Sequence, residues 1–167
     1  MASIRLATLD EIVHLPALER VACGRFDPFG YAELQAIVTP VDELRAGVLA
    51  GSLFVAVEGD AIVGFALASL FDGGLHLDEL DVLPSHGRRG IGRALVGAVV
   101  DLARARGLAR VTLSTLASIP WNAPWYATLG FRALTVASLT PALCELREAE
   151  RSRGLPMADR VYLRKDI

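Results

Sequence analysis

The sequence has few cysteines and no long apolar run. Its 167 residues include only Cys23 and Cys144, which are far apart and lack the spacing of metal ligands. Free thiols in a reducing cytoplasm are therefore expected. No stretch approaches the roughly 20 apolar residues of a membrane span, and the first ten residues lack the apolar segment of a signal peptide. We expect a cytoplasmic protein that does not associate with membranes.

The sequence also lacks an excess of positive charge. Its 17 Lys and Arg residues against 19 Asp and Glu residues give a net charge of −2, whereas nucleic-acid-binding domains usually carry a strongly basic face. The charge balance therefore predicts no nucleic-acid partner. No Ser-His-Asp arrangement is evident, and no cluster has metal-ligand spacing, so we expect no metal. With 53% hydrophobic residues, the chain fits a single domain over residues 1–167.

Hydrophobic periodicity predicts an α/β (α+β) fold in the order β-α-α-β-β-β-α-β-α-β-α-β. Strands are expected at residues 3–7, 53–57, 61–70, 75–83, 111–115, from 131 onward, and 160–164. Helices are expected at about 9–23, 40–50, 90–106, 122–129 and 140–153. A helical crossover after residue 83 predicts one parallel pair in an otherwise mostly antiparallel sheet of about seven strands.

Two local features of the first half leave alternatives open. Pro16 predicts a kink or an early break of the first helix, because proline removes a helical hydrogen bond. After that helix, Phe26, Phe29 and Tyr31 either line a pocket or pack beneath their own loop.

A strand that passes through a glycine- and arginine-rich loop into a helix predicts an anion site. Residues 82–95 read VLPSHGRRGIGRAL, in which Pro84 stops the strand. Gly90 and Gly92 let a ligand approach the backbone, and the helix N-terminus supplies N–H groups and a positive dipole end. Three arginines add charge suited to phosphate oxygens: Arg88, Arg89 and Arg93. The alternative is a glycine-rich turn without a ligand.

Two common phosphate motifs do not fit this loop. No Lys-Ser or Lys-Thr pair follows the glycines, and Leu95 stands where a dinucleotide fingerprint needs its third glycine. The remaining pattern, from Gly87 to Gly92, resembles the pyrophosphate loop Q/R-x-x-G-x-G/A of the GCN5-related N-acetyltransferases, the GNAT family, which bind acetyl-coenzyme A. Here Gly87 replaces the usual Gln or Arg, and Arg88 stands beside it.

A second segment supports the resemblance. Residues 126–131 fit the family pattern Y-x-x-x-G-F, and Asn122 lies four residues before Tyr126, whereas the commoner family form has its Asn seven before. The predicted element order is similar to the GNAT fold over nearly the whole chain. The resemblance therefore implies an N-acetyltransferase that transfers an acetyl group from acetyl-CoA to a primary amine by direct attack in a ternary complex.

The resemblance also implies roles for individual residues. Glu79 is expected as the general base and Tyr126 as the general acid, with a backbone N–H near Val82 stabilising the thioester oxygen. The coenzyme-binding residues are expected to be Asp81, Val82, Leu83, Arg88, Arg89, Gly90, Ile91, Gly92, Arg93, Ala94 and Asn122. Asp81 or a water relay remains an alternative base. The alternative to these catalytic roles is structural: Asp78, Glu79 and Asp81 would then be acids at a solvated sheet edge, and Tyr126 would be an aromatic residue of the core.

The sequence leaves the acceptor and the assembly open. A small-molecule or peptide amine is expected as acceptor, and a homodimer through the last helix and strand is compatible with the pattern. The rival function is a non-catalytic acyl-CoA-binding or regulatory domain, which needs the loop but neither base nor acid. A nucleotide-binding protein would instead prefer ATP or NAD to coenzyme A.

Overall fold

A computed structural model describes residues 2–167 of the chain. Within this range the strands are β1 (Ser3–Leu6), β2 (Leu53–Glu58), β3 (Ala61–Phe71), β4 (Gly74–Val82), β5 (Arg110–Leu116), β6 (Arg132–Ala133) and β7 (Arg160–Asp166). The α-helices are α1 (Leu15–Cys23), α2 (Val41–Leu49), α3 (Ile91–Ala105), α4 (Ala123–Thr128) and α5 (Pro141–Ser152). The predicted order of strands and helices is confirmed.

The strands form one mixed sheet in the order β1-β2-β3-β4-β5-β7-β6. β2 pairs antiparallel with β1 and β3, and β7 pairs antiparallel with β5 and β6. The last strand is therefore inserted between two earlier ones. This arrangement confirms the predicted fold class, a mostly antiparallel seven-stranded sheet flanked by helices.

The first helical region differs from the prediction for residues 9–23. It begins as a single 3-10 turn at Ile12–His14, and α1 starts only at Leu15. Pro16 thus lies in the first turn of α1, where a missing N–H costs no intrahelical hydrogen bond, and it does not kink the helix. The aromatic segment that follows forms two 3-10 helices, Gly24–Phe29 and Ala32–Ala36, with Phe29 45% exposed.

The chain divides into two compact units, of which the first comprises the chain up to Ser69 together with Leu77–Leu102. Its core lies where α1 and α2 cover β2 and β3. The buried residues of this core are Ala7, Ile12, Leu15, Leu18, Leu44, Leu53, Val55, Phe65 and Leu67. α3 buries Leu95, Val96 and Val99, whereas Ala98 is only half-buried.

The second unit comprises Leu70–His76 and Ala103–Ile167. β5 and β7 form its longest ladder, in which Ser114 lies opposite Tyr162. α5 begins at Pro141, and its first turn is capped by the Thr140 hydroxyl, which accepts a hydrogen bond from the Leu143 N–H at 3.2 Å. Among the helices of residues 2–167, none combines the length and the hydropathy needed to cross a bilayer.

Candidate active site

The loop after β4 has an unusual backbone. β4 ends at Val82, a 3-10 turn spans Pro84–His86, and α3 begins at Ile91. Between them, Arg88 has φ +57° and Gly90 has φ +81°. Left-handed backbone is uncommon for a residue with a side chain and costs roughly 1–2 kcal/mol. Such strain persists only where the surrounding structure enforces it, and it is concentrated at functional sites.

The same loop is open to an incoming group. Gly87 to Gly90 are all exposed, and a Cβ placed on Gly90 would have no heavy atom within 4 Å. The loop leads directly into the 15-residue helix α3, whose first-turn N–H groups have no intrahelical acceptor and whose dipole is positive at this end. The predicted succession of strand, loop and helix N-terminus is therefore present.

The three arginines of the loop differ in their surroundings. Arg89 donates to both carboxylate oxygens of Glu58, at 2.6 and 3.1 Å, and His86 Nε2 lies 3.2 Å from the same carboxylate. The hydrogen bonds from Arg89 hold the pKa of Glu58 below its usual value. Arg88 and Arg93 are exposed. An anion at the loop must therefore compete with Glu58 for Arg89.

The end of β4 is held by hydrogen bonds and by a close strand contact. The Leu83 N–H donates to the Val63 carbonyl at 2.9 Å, and Arg25 Nη2 donates to the Val82 carbonyl at 3.0 Å. A Cβ on Gly64 of β3 would lie 2.6 Å from the Asp81 carbonyl oxygen. β3 and β4 can approach this closely only because Gly64 has no side chain.

Three acids meet beside this strand end. Glu19 of α1, Glu79 and Asp81 each place a carboxylate oxygen within 4.8 Å of the others, and we call this group the acidic triangle. Glu19 and Asp81 are only 1% and 6% exposed, while Glu79 is half-buried. The sequence motifs identified Glu79 and Asp81, but not Glu19. The signal that could have found Glu19 is its place on the buried stripe of α1, with Leu15, Leu18 and Ala22.

Burial and mutual repulsion determine the charge state around the acidic triangle. Burial raises the pKa of Asp81 well above its ordinary value, the carboxylates of Glu79 and Glu19 raise it further, and Arg25 partly opposes them. The pKa of the neighbouring Cys23 thiol is also raised, mainly by burial and then by Asp81. Cys23 is therefore held as a neutral thiol, which argues against a nucleophilic role.

The other two expected site residues lie in the second unit. Tyr126 of α4 is 7% exposed, and its ring packs edge-on against Trp125 and Phe131, with ring centroids 4.8 and 5.6 Å away. Asn122 occupies the N-cap of α4, but its side chain makes no capping hydrogen bond. The helix therefore uses the Asn122 carbonyl, which accepts from the Tyr126 N–H at 3.0 Å, rather than the amide.

His76, at the start of β4, is buried in the same unit. Its Nδ1 lies 2.9 Å from the Thr112 hydroxyl, and the residue is 3% exposed. Burial lowers the pKa of His76 to about 4, an effect that Glu150 opposes and Arg160 supports. The imidazole is therefore neutral at physiological pH and is bonded within the core.

A buried polar network ties α5 to β5 and β7. Glu150 accepts hydrogen bonds from the Ser114 and Tyr162 hydroxyls, and Arg160 Nε lies 3.2 Å from its carboxylate. Burial raises the pKa of Glu150, but the Arg160 charge and these hydrogen bonds outweigh burial, so the net pKa is lowered. Sequence analysis did not identify this network, because its members are distant in the chain and belong to no motif.

The comparisons with known proteins agree with the fold. The fold is similar to that of the PaiA N-acetyltransferase from Thermoplasma acidophilum, solved in complex with coenzyme A, with a TM-score of 0.78 and 12% identity over 100% of this chain and 99% of that one. It is also similar to N-acetylglutamate synthase from Neisseria gonorrhoeae, complexed with coenzyme A and N-acetyl-glutamate, with a TM-score of 0.74 and 20% identity over 99% of this chain but 35% of that one.

A third similar structure is the ribosomal-protein-S18-alanine N-acetyltransferase from Escherichia coli, with a TM-score of 0.68 and 17% identity over 100% of this chain and 94% of that one. At these identities, the structures show a shared fold. A family profile, described as the acetyltransferase (GNAT) family, matches residues 19–131, which is more than half of the sequence. That segment contains the acidic triangle, the loop and the Tyr126 motif. The chain therefore belongs to the acetyltransferase (GNAT) family.

Proposed function

We propose that this chain is an N-acetyltransferase that moves the acetyl group of acetyl-CoA to a primary amine while both substrates are bound. The observation that carries the proposal is the end of β4, where half-buried Glu79 precedes an open, left-handed loop at the N-terminus of α3. Such a strand end offers a diphosphate site and a proton acceptor on one continuous segment.

The loop and the first turn of α3 are the proposed diphosphate site. Backbone N–H groups bind the phosphate oxygens, and the exposed guanidinium groups add charge. Following the family resemblance, we assign the coenzyme contacts to Asp81, Val82, Leu83, Arg88, Arg89, Gly90, Ile91, Gly92, Arg93, Ala94 and Asn122. The open space above Gly90 supports this assignment, because backbone there is reachable without moving a side chain.

Glu79 is the proposed general base. An alkyl ammonium has a pKa of about 10.4, so the acceptor must lose a proton before its nitrogen can attack. Glu79 is the member of the acidic triangle that is reached from solvent, since Glu19 and Asp81 are almost fully buried. The nitrogen attacks the thioester carbonyl carbon, the C–N bond forms, and the C–S bond breaks. The nitrogen releases its second, surplus proton to solvent. Tyr126 donates a proton to the leaving thiolate and regains one from solvent.

The experiment that tests the proposal is a thiol-release assay with acetyl-CoA and a panel of amines. We expect Glu79→Gln to lower kcat by about 10²- to 10⁴-fold, the usual contribution of a general base, and to leave the affinity for coenzyme A nearly unchanged. The matched control is Asp78→Asn, which removes a neighbouring exposed acid that accepts a hydrogen bond from Ser69.

The outcomes separate the rival functions. If Glu79→Gln leaves the rate and its pH profile unchanged, the base assignment is wrong. If coenzyme A binds in calorimetry but no amine causes thiol release, the chain is a non-catalytic acyl-CoA-binding domain. If ATP or NAD binds more tightly than coenzyme A, the diphosphate site belongs to a nucleotide-binding protein.

A further inference from the structure

The acidic triangle holds more acid groups than its surroundings can keep ionised. Glu19 and Asp81 are 1% and 6% exposed, and Arg25 is the cation that opposes the charge on Asp81. A carboxylate that leaves water either pairs with a cation or takes up a proton. One arginine does not balance three ionised acids, so the acidic triangle should retain a proton at neutral pH.

Two of the three acids have a means of carrying negative charge. Both carboxylate oxygens of Glu19 accept from the Thr39 N–H, at 3.0 and 2.9 Å, and one also accepts from the Thr39 hydroxyl at 3.2 Å. Hydrogen bonds donated to a carboxylate stabilise its ionised form. Glu79 is half-buried, so water reaches it, and it accepts from the Leu80 N–H at 3.2 Å. The retained proton therefore belongs on neither Glu19 nor Glu79.

Asp81 is the acid whose carboxyl group lacks such support. Its Oδ2 atom is buried and accepts no hydrogen bond among residues 2–167, although buried polar atoms in folded proteins nearly always have a partner. A proton on this carboxyl group turns an unsatisfied acceptor into a hydrogen-bond donor. Glu79 and Glu19 each place a carboxylate oxygen within 4.8 Å of one on Asp81, a separation that one bridging water spans. A neutral Asp81 therefore has charged acceptors beside it.

We propose that Asp81 is a neutral carboxylic acid that donates a hydrogen bond to the Glu79 carboxylate, directly or through one water, and that it is thereby a positioning residue that keeps the general base ionised. The catalytic part of this inference rests on the proposed acetyltransferase function, whereas the neutral state of Asp81 is a property of the free protein. Glu79 is the acceptor because Thr39 already bonds to both oxygens of Glu19. Carboxylic acids in poorly solvated sites are kept neutral in this way and act as hydrogen-bond donors.

Ionisable groups reach Asp81 from three elements. They are Glu79 on β4 itself, Glu19 and the Cys23 thiol on α1, and Arg25 on the 3-10 helix that follows α1. Burial raises the pKa of Asp81, the two neighbouring carboxylates raise it further, and only Arg25 lowers it. The balance of these groups agrees with a proton on Asp81.

This arrangement accommodates the proton transfer of the reaction. In the resting protein, the Asp81 O–H bonds to ionised Glu79, which stabilises the anion and leaves its remaining lone pairs for the acceptor. When Glu79 takes a proton from the acceptor nitrogen, it becomes neutral, and Glu19 is then the ionised acceptor for Asp81. Asp81 keeps its own proton throughout, and Glu79 returns its proton to solvent.

The direct test is ¹³C NMR of the full chain, labelled at the side-chain carboxyl carbons of Asp and Glu and recorded without substrates. We expect one Asp resonance to keep the chemical shift of a neutral acid at pH 7, where exposed Asp residues, with a pKa of about 3.9, are ionised. Asp81→Asn should remove this resonance. The matched control Asp78→Asn, which removes an exposed acid of the same strand, should leave it in place.

The kinetic test uses the acid limb of the pH profile of kcat/KM, measured with the fastest amine of the thiol-release panel. Asp81→Asn retains an N–H donor toward Glu79, whereas Asp81→Leu has a similar volume and no donor. Because the Glu79 carboxylate loses a hydrogen bond in Asp81→Leu, the acid limb of that variant should lie about one to two pH units above the acid limb of Asp81→Asn. A purely structural role of Asp81 would lower the rate of both variants without separating their acid limbs.

The outcomes separate this inference from the proposed function. An Asp81 resonance that is ionised at pH 7, or a neutral acid that belongs to Glu79 or Glu19 instead, would overturn the inference while leaving acetyl transfer intact. Coincident acid limbs of Asp81→Leu and Asp81→Asn would overturn the positioning role. If no amine causes thiol release, the proposed function fails, yet the NMR spectrum still decides whether Asp81 is neutral. Thermal unfolding identifies the folded variants, and the spectrum of the wild type decides the protonation state even if Asp81→Leu does not fold.

Discussion

The contact between Gly64 and the end of β4 gives a sharp prediction for Gly64→Ala. The added Cβ would lie 2.6 Å from the Asp81 carbonyl oxygen, 3.2 Å from Val82 Cγ2 and 3.3 Å from Val82 Cα. Two of these atoms belong to the backbone, so no side-chain rotation can relieve the overlap. β3 and β4 must move apart at the point where Asp81 enters the acidic triangle.

The expected cost of Gly64→Ala follows from this overlap. Adding a methyl group to a close-packed position typically destabilises a protein by about 1–3 kcal/mol. For a domain of this size, each kcal/mol lowers the melting temperature by roughly 2–4 °C, so the expected fall is about 2–12 °C. Because a displacement of about 1 Å near reacting groups can reduce the rate about 100-fold, kcat should fall as well.

A matched glycine serves as the control. Gly97 lies inside α3, and a Cβ placed there would have no heavy atom within 4 Å. Gly97→Ala should therefore raise the free energy of unfolding by about 0.5–1 kcal/mol, because alanine is the better helix former. Urea denaturation and thiol release measure both variants. If Gly64→Ala is as stable and as active as the wild type, the close approach of β3 and β4 does not constrain the site.

Three further predictions concern charged residues. Arg88→Gly should change the free energy of unfolding by less than about 1 kcal/mol, because relief of the left-handed strain at this position offsets the entropy that glycine adds to the unfolded chain. Calorimetry should nevertheless show weaker coenzyme A binding. A loss of stability greater than about 1 kcal/mol would contradict the predicted offset. Glu150→Gln should cost about 3–5 kcal/mol at pH 7, because Arg160 is left buried without its partner. The pKa of Glu150 is lowered in the folded state, so the Glu150 carboxylate contributes to stability above about pH 4.3 and loses that contribution as the pH falls further. The free energies of unfolding of the wild type and Glu150→Gln, measured with urea at two pH values, should therefore differ less in acid than at pH 7. Asp81→Asn should raise the free energy of unfolding at pH 7. The pKa of Asp81 is raised in the folded state, so the wild type loses stability as the pH rises above about 3.9, whereas the amide does not ionise. Equal stabilities of the wild type and Asp81→Asn from pH 4 to 8 would show that the pKa of Asp81 is not raised.

The fold was largely predictable because its elements carry strong local signals. β3 is a nearly continuous apolar run and α3 has a clear 3.6-residue period, and turns that contain glycine or proline bound these elements. The predicted limits of β3, β4 and α3 therefore lie within one or two residues of the observed ones. The start of α1 was not predictable to the same degree. Residues 9–14 share the helical pattern of α1, yet they form turns before Leu15, which periodicity alone does not reveal.

The candidate site was predictable only where its residues are neighbours in sequence. The loop and the acids of β4 lie on one segment, so a motif describes them. Glu19 comes from another element, and a glutamate on a helix is usually exposed, so only its position on the apolar stripe distinguishes it. The bonds from Thr39 that make its burial tolerable depend on tertiary structure, since Thr39 is 20 residues away.

The ion pair between Arg89 and Glu58 links a remote turn to the loop that follows β4. Glu58 ends β2 at the hairpin that leads into β3, far in sequence from the loop motif. Because its carboxylate is paired with an arginine of that loop, Glu58 would compete with any polyanion that the loop binds. If the loop binds a diphosphate as proposed, substitutions at Glu58 should change the affinity for that ligand without altering any residue of the glycine motif.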